Sequence, residues 1–286
     1  MKSVLITDLD NTLFDWFSIW HKSFSAMLNE ISSISGISIE ELKPQIKKIH
    51  QKHGTAEYAF VIEEIPSIRA KYGNRETINK IFDPAIHAYR SERKKHLKLY
   101  DGVYDTLNTL KNMGVLIIGY TESKEFYSNY RVSKLGLDGI IDILFSPEDH
   151  TIPFGVIPQS NYQLTKTVNM HTPQGEIKPN PKILKDIIHS VEATPEKCIY
   201  VGDSEMKDIA MALEANVDAV FAKYGTSHFS TNTDDYDLLR DVTHWTDSDV
   251  ERERKIKEEN KDIHAKFIIN RFDEILQLFQ FQRFSK

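Results

Sequence analysis

Val4-Leu5-Ile6-Thr7-Asp8-Leu9-Asp10-Asn11-Thr12 opens with four β-favouring residues and passes at once into a polar, helix-breaking cluster. That pattern reads as a short buried strand whose carboxyl end runs into a loop. In a strand or its extended continuation, side chains at i and i+2 share a face, so Asp8 and Asp10 project together. Two neighbouring carboxylates repel, and they persist at low cost when a cation lies between them or when they share a proton. The same cluster also suits an Asp-rich turn or a helix cap. The choice depends on what other strand ends bring.

After the first strand, residues 15–97 carry no strand pattern and read as helices. Phe17, Trp20, Phe24, Met27, Leu28 and Ile31 form a stripe at helical spacing. Further helices are expected at Ser38–His53, Thr55–Tyr72 and Glu76–His96, with a capping box at Ser38 and Glu41. So long a helical insertion makes a separate lobe, with 1–14 and 98–286 as the core.

The core then alternates. A helix ends near Met113, and Val115–Tyr120 is an apolar strand that delivers Thr121-Glu122-Ser123. A helix over Glu125–Leu135 leads to a strand at Ile140–Phe145. Cys198–Val201 and Val217–Ala222 read as further strands, Phe267–Ile269 as an edge strand, and Phe272–Phe281 as a final helix. This order predicts an α/β fold with a parallel sheet in three layers. Two segments break the rhythm. Residues 146–177, rich in Pro, Ser, Thr, Asn and Gln, read as an irregular insertion with room for a hairpin, and 225–266 as a polar insertion with a helix near Asp249–Lys261.

The chain has 286 residues, 40% hydrophobic and 27% charged, as in an ordinary globular protein. Forty-two acidic against 36 basic residues give a net charge of −6, which argues against a nucleic-acid polymer as partner. No apolar run approaches the about 20 residues that span a bilayer. The single cysteine, Cys198, rules out an intramolecular disulfide. A cytoplasmic location is the expectation, as a monomer or homodimer.

Ligands of an open parallel sheet bind at the carboxyl ends of its strands. Those ends carry Asp8 and Asp10, then Thr121, then Lys178 on the rigid Lys178-Pro179-Asn180-Pro181 loop, then Asp203 and Asp208. Several carboxylates with one lysine and one hydroxyl suit a hard dication together with an oxyanion, and Mg²⁺ fits best. Singly, each has a plainer reading: Lys178 as a surface lysine, Thr121 as a strand-end hydroxyl, Asp208 as an acidic residue favoured in a helix's first turn.

As a set, in this order and spacing, Asp8-Leu9-Asp10-Asn11-Thr12, Thr121, Lys178 and Gly202-Asp203 through Asp208 resemble the four motifs of the haloacid dehalogenase-like hydrolase superfamily. The resemblance implies a Rossmann-like core with an all-helical cap domain at 15–97. It implies Asp8 as nucleophile and Asp10 as general acid and base. Thr121 and Lys178 would hold the phosphoryl group, with Asn11 and Glu122 beside them. The implied Mg²⁺ set is Asp8, Asp10 through its backbone carbonyl, and Asp203, with Asp208 in reserve or orienting Lys178. An aspartate two residues after the nucleophile favours phosphoryl chemistry over dehalogenation. The expected function is therefore a phosphatase for a small phosphorylated metabolite, proceeding through an aspartyl-phosphate. A phosphomutase, or a regulatory module of low turnover on the same fold, are the alternatives.

Overall fold

Val4–Thr7 forms β1, the central strand of a seven-stranded parallel sheet, in a computed structural model that describes residues 1–152, 162–227 and 235–285. The other strands are β2 (Leu116–Tyr120), β3 (Ile143–Ser146), β4 (Val168–His171), β5 (Cys198–Gly202), β6 (Asp218–Ala222) and β7 (Phe267–Ile269). Their order is β4-β3-β2-β1-β5-β6-β7, with every neighbouring pair parallel. Val4, Leu5 and Ile6 are fully buried, which is why β1 reads as a continuous apolar run and not an alternating one. On one face Val4, Ile6, Ile118 and Tyr200 pack with Leu184, Ile187 and Ile188 of helix Pro181–Ser190 and with Met211. Thr7 lies opposite Gly119 on one side and Val201 on the other. The carboxyl ends of β1, β2 and β5 therefore finish at the same level.

β4 corrects the expectation of an irregular segment or hairpin within 146–177. Val168–His171 is a parallel edge strand beside β3. Val168 and Met170 are exposed, so it lacks the apolar face that makes a strand legible. The part of that insertion at 153–161 lies outside the described residues, as does 228–234 within 225–266. The final helix is also shorter than its apolar stripe suggests. Phe272–Glu274 is a 3₁₀ turn and Ile275–Leu278 a single α turn. Beyond them the chain is extended: Lys2 N–H donates to the Gln280 carbonyl at 2.8 Å, and Gln282 N–H donates to the Lys2 carbonyl at 2.9 Å.

The second unit comprises Trp16–Leu97 together with 235–255, and its described residues are helical. Membership of 235–255 revises the reading of 225–266 as an insertion of the core. The predicted stripe is buried on helix Trp16–Ser35, and the capping box of Ser38 and Glu41 opens helix Ile39–His53. The two longer helices read at 55–72 and 76–96 are each divided. Pro66 and Pro84 start new helices at their first turns, where a missing N–H costs nothing. No helix among the described residues is long and apolar enough to cross a membrane.

His50 ties 235–255 into this unit. Its Nδ1 lies 2.6 Å from the Val242 carbonyl, and both residues are buried. A carbonyl only accepts, so Nδ1 carries the proton. Burial pushes the His50 pKa down to about 4; the Val242 contact resists this, while His244 and His53 add to it. Because the folded value lies below the unfolded one of 6.5, stability is full at high pH and is lost as pH falls from 6.5 towards 4. Between pH 8 and pH 5 the loss from this residue is about 2 kcal/mol. Thermal melts of the parent and of His50→Gln at the two pH values check this: the variant is expected to show a smaller pH effect.

Candidate active site

Asp8 is the first residue past β1, and its N–H donates to the Val201 carbonyl at 2.8 Å. Its buried carboxylate meets Lys178 through Oδ1, 2.5 Å from Nζ, and accepts the Thr12 hydroxyl through Oδ2 at 3.3 Å. Thr12 also reaches Asp203 Oδ1 at 3.5 Å. Lys178 is only 2% exposed, so it is not the solvated lysine that its residue type suggests. Its ammonium donates to Asp208 Oδ1 at 3.0 Å and lies 4.9 Å and 5.6 Å from the ring centres of Tyr120 and Tyr200. Tyr200 donates to Asp208 Oδ1 at 2.9 Å, and the Ser204 N–H donates to Oδ2 at 3.2 Å. Asp208 is thus a buried ion-pair partner, not merely a helix-start residue.

Local backbone puts Asp208 there. Residues Glu205–Ile209 form a single π turn between β5 and helix Ala210–Glu214, where the sequence had suggested ordinary helix. The turn brings the Asp208 side chain back against Gly202, so closely that a Cβ on Gly202 would lie 2.4 Å from Asp208 Cγ. Only glycine fits at that position. A similar restriction braces the loop after β1 from the other side. A Cβ on Gly225, in the 3₁₀ turn Lys223–Thr226, would lie 2.1 Å from the Asn11 carbonyl oxygen. From the same turn Tyr224 donates to the Thr12 carbonyl at 2.7 Å.

Carboxylate oxygens of Asp8, Asp203 and Asp208 lie within 4.8 Å of one another. Burial pushes the Asp8 carboxyl up to about 7; Lys178 pulls it down, and Asp208 and Asp10 push it further up. Burial also holds Asp203 well above the usual carboxylate range, with Asp8 and Asp208 adding to the effect. At Lys178 burial works against the charge, but Asp208 and Asp8 outweigh it, and the ammonium is held well above its ordinary value. Asp8 and Asp208 therefore share one ammonium, with Asp203 crowded beside them. That shortage of positive charge, with an all-oxygen donor set, fits a hard dication such as Mg²⁺. Asp208 is the most heavily engaged of the three, with Lys178 and Tyr200 on Oδ1 and the Ser204 N–H on Oδ2.

Asp10 points elsewhere. It is outside the group of three, with Oδ1 3.1 Å from Arg131 Nη1 and Oδ2 2.5 Å from the Ser123 hydroxyl. Thr121 is buried at the end of β2, accepts the Ser123 N–H at 3.0 Å and reaches Asp10 Oδ2 at 3.5 Å. Glu122 accepts the Lys178 N–H at 2.9 Å, so its carboxylate serves the lysine loop; a second anion would repel a phosphate. Asn11 takes a left-handed backbone at the turn, with φ of 57°. Sequence reading assigned no role to Thr12, Ser123, Arg131, Tyr200 or Gly225. Thr12 closes the quoted first motif and Ser123 follows Thr121-Glu122, while Arg131 lies within a helix with no spacing that points to the site.

Among known proteins, the family model described as haloacid dehalogenase-like hydrolase matches residues 2–216. A glyceraldehyde 3-phosphate phosphatase from Methanopyrus kandleri is 23% identical over 233 residues, covering 79% of this chain and 85% of that protein. The solved 2-haloacid dehalogenase from Pseudomonas syringae superimposes with a TM-score of 0.59 at 15% identity, over 97% of this chain and 98% of the other. A protein from Bacillus subtilis assigned as a HAD-hydrolase, solved bound to magnesium, gives a TM-score of 0.50 at 15% identity, with the same two coverages. At such identities the two structures speak for the fold alone.

Proposed function

This chain belongs to the haloacid dehalogenase-like hydrolase family, and from that premise we propose that it is a Mg²⁺-dependent phosphatase acting on a small phosphorylated metabolite. The observation that carries the reading is the buried array of Asp8, Lys178 and Asp208, with Asp203 beside Asp8 and a second carboxylate, Asp10, two residues on. Asp8 would attack phosphorus and form an aspartyl-phosphate as the ester oxygen departs. Asp10 would give a proton to that oxygen, then take one from the water that attacks the phosphoenzyme and releases inorganic phosphate. Lys178 would hold the phosphoryl oxygens by charge and Thr121 by its hydroxyl, while Asp208 and Tyr200 keep the ammonium in place. Asp8 and Asp203 would hold Mg²⁺, which supplies positive charge against the repulsion between carboxylate and phosphate.

The discrimination from a dehalogenase rests on Asp10, a group with no task when the leaving atom is a halide. The relative from Methanopyrus kandleri, a phosphatase by name, agrees with this choice. The purified chain should release inorganic phosphate from members of a panel of sugar phosphates, triose phosphates, nucleotides and p-nitrophenyl phosphate. Chelation should reduce turnover by at least about 10²-fold, and added Mg²⁺ should restore it. Turnover indifferent to chelation, no phosphate release across the panel, or chloride release from 2-chloropropionate would overturn the reading.

A further inference from the structure

We propose that Arg131 and Ser123 are positioning residues that aim the Asp10 carboxyl at the leaving oxygen, an inference that rests on the phosphatase reading above. Arg131 lies on helix Glu125–Lys134 and is 4% exposed. Its Nη1 is 3.1 Å from Asp10 Oδ1 and 3.0 Å from the Ser123 hydroxyl, which donates in turn to Asp10 Oδ2. The guanidinium carbon lies 5.7 Å from the centre of the Phe14 ring. Ser123 is itself fixed, because its N–H donates to Thr121 and its carbonyl accepts the Ser128 hydroxyl at 2.8 Å.

A carboxylate held by one donor still turns about its last torsion, since such torsions are broad. Separate donors on the two oxygens fix the plane of the group. Proton transfer needs the acid's oxygen within hydrogen-bond reach of its target, so a misdirected carboxyl slows chemistry and leaves substrate binding intact. A buried guanidinium is costly to keep, and the two contacts give it a function at this place. The effect should be greatest for esters whose leaving oxygen needs a proton.

The test compares parent, Arg131→Met, Arg131→Lys and Ser123→Ala on p-nitrophenyl phosphate and on an alkyl monoester from the panel. For Arg131→Met the alkyl ester should lose about 30-fold or more in kcat, with KM within about twofold, while p-nitrophenyl phosphate loses less than about fivefold. Arg131→Lys should recover part of the loss, and Ser123→Ala should show the same pattern more mildly if Arg131→Met folds poorly. Added to Asp10→Ala, Arg131→Met should cost less than about twofold more. Equal losses on both esters, a change confined to KM, or full additivity with Asp10→Ala would overturn the proposal. If the parent hydrolyses no monoester, the phosphatase reading falls by itself. Crystal structures of parent and Arg131→Met then still decide the positioning: an Asp10 carboxyl turned away supports it, and one unmoved overturns it.

Discussion

Asp8→Asn is expected to reduce phosphate release by at least about 10³-fold and, in the presence of chelator, to raise the melting temperature. Both effects have one origin. Asp8 is the only group of the array that would form a bond to phosphorus, and an amide cannot replace it as nucleophile. Its charge is also one of two that share the Lys178 ammonium in a buried pocket, with the Asp203 carboxyl close by. Neutralising it leaves a better balanced site, worth about 1–3 kcal/mol of stability, in the manner of other strained active sites. The amide can keep an oxygen towards Lys178, so little packing is lost. Calorimetry and a phosphate assay on the same preparation test the two halves separately. Turnover within tenfold of the parent would remove Asp8 as nucleophile, and a lowered melting temperature would remove the claim of charge shortage.

Lys178→Met should impair turnover similarly and have the opposite effect on stability. Removing the ammonium leaves Asp8 and Asp208 facing each other with their shared counter-charge gone. Breaking a buried pair in this way typically costs about 3–5 kcal/mol. Loss of the group that would bind the phosphoryl oxygens is expected to cost at least about 10²-fold in kcat. Arginine should not rescue the site, because its larger planar guanidinium would have to enter a position where Lys178 is almost fully buried. The double variant Asp8→Asn with Lys178→Met should recover part of the stability lost by Lys178→Met alone, since the two groups interact directly. Additive melting shifts would show that they do not.

Much of this was legible in the residues, and the reason is topological. Asp8, Thr121 and Asp203 each follow an apolar run, because in a sheet covered on both faces the first polar residue marks the strand's carboxyl end. Lys178 was legible from the prolines around it. What stayed hidden is held by contacts with no local pattern. Arg131 reaches Asp10 from the middle of a helix whose apolar spacing says nothing of a carboxylate. β4 is an exposed edge strand with no buried face. Residues 235–255 join the helical unit through Val242 and its partner His50, far apart in sequence. The π turn that aims Asp208 has no composition of its own, and Gly202 gives its need away only once the Asp208 side chain is seen against it.

The place of β1 in the sheet also has a kinetic side. Val4 pairs with Leu116 on one flank and Cys198 on the other. During synthesis this apolar strand leaves the ribosome long before either partner exists, and closing such distant pairs is slow. The Asp8 backbone finds its partner, the Val201 carbonyl, only after β5 has emerged. Until then an oily segment waits without a neighbour, and this interval is where a chaperone would be most useful to the nascent chain and where aggregation would compete most strongly with folding.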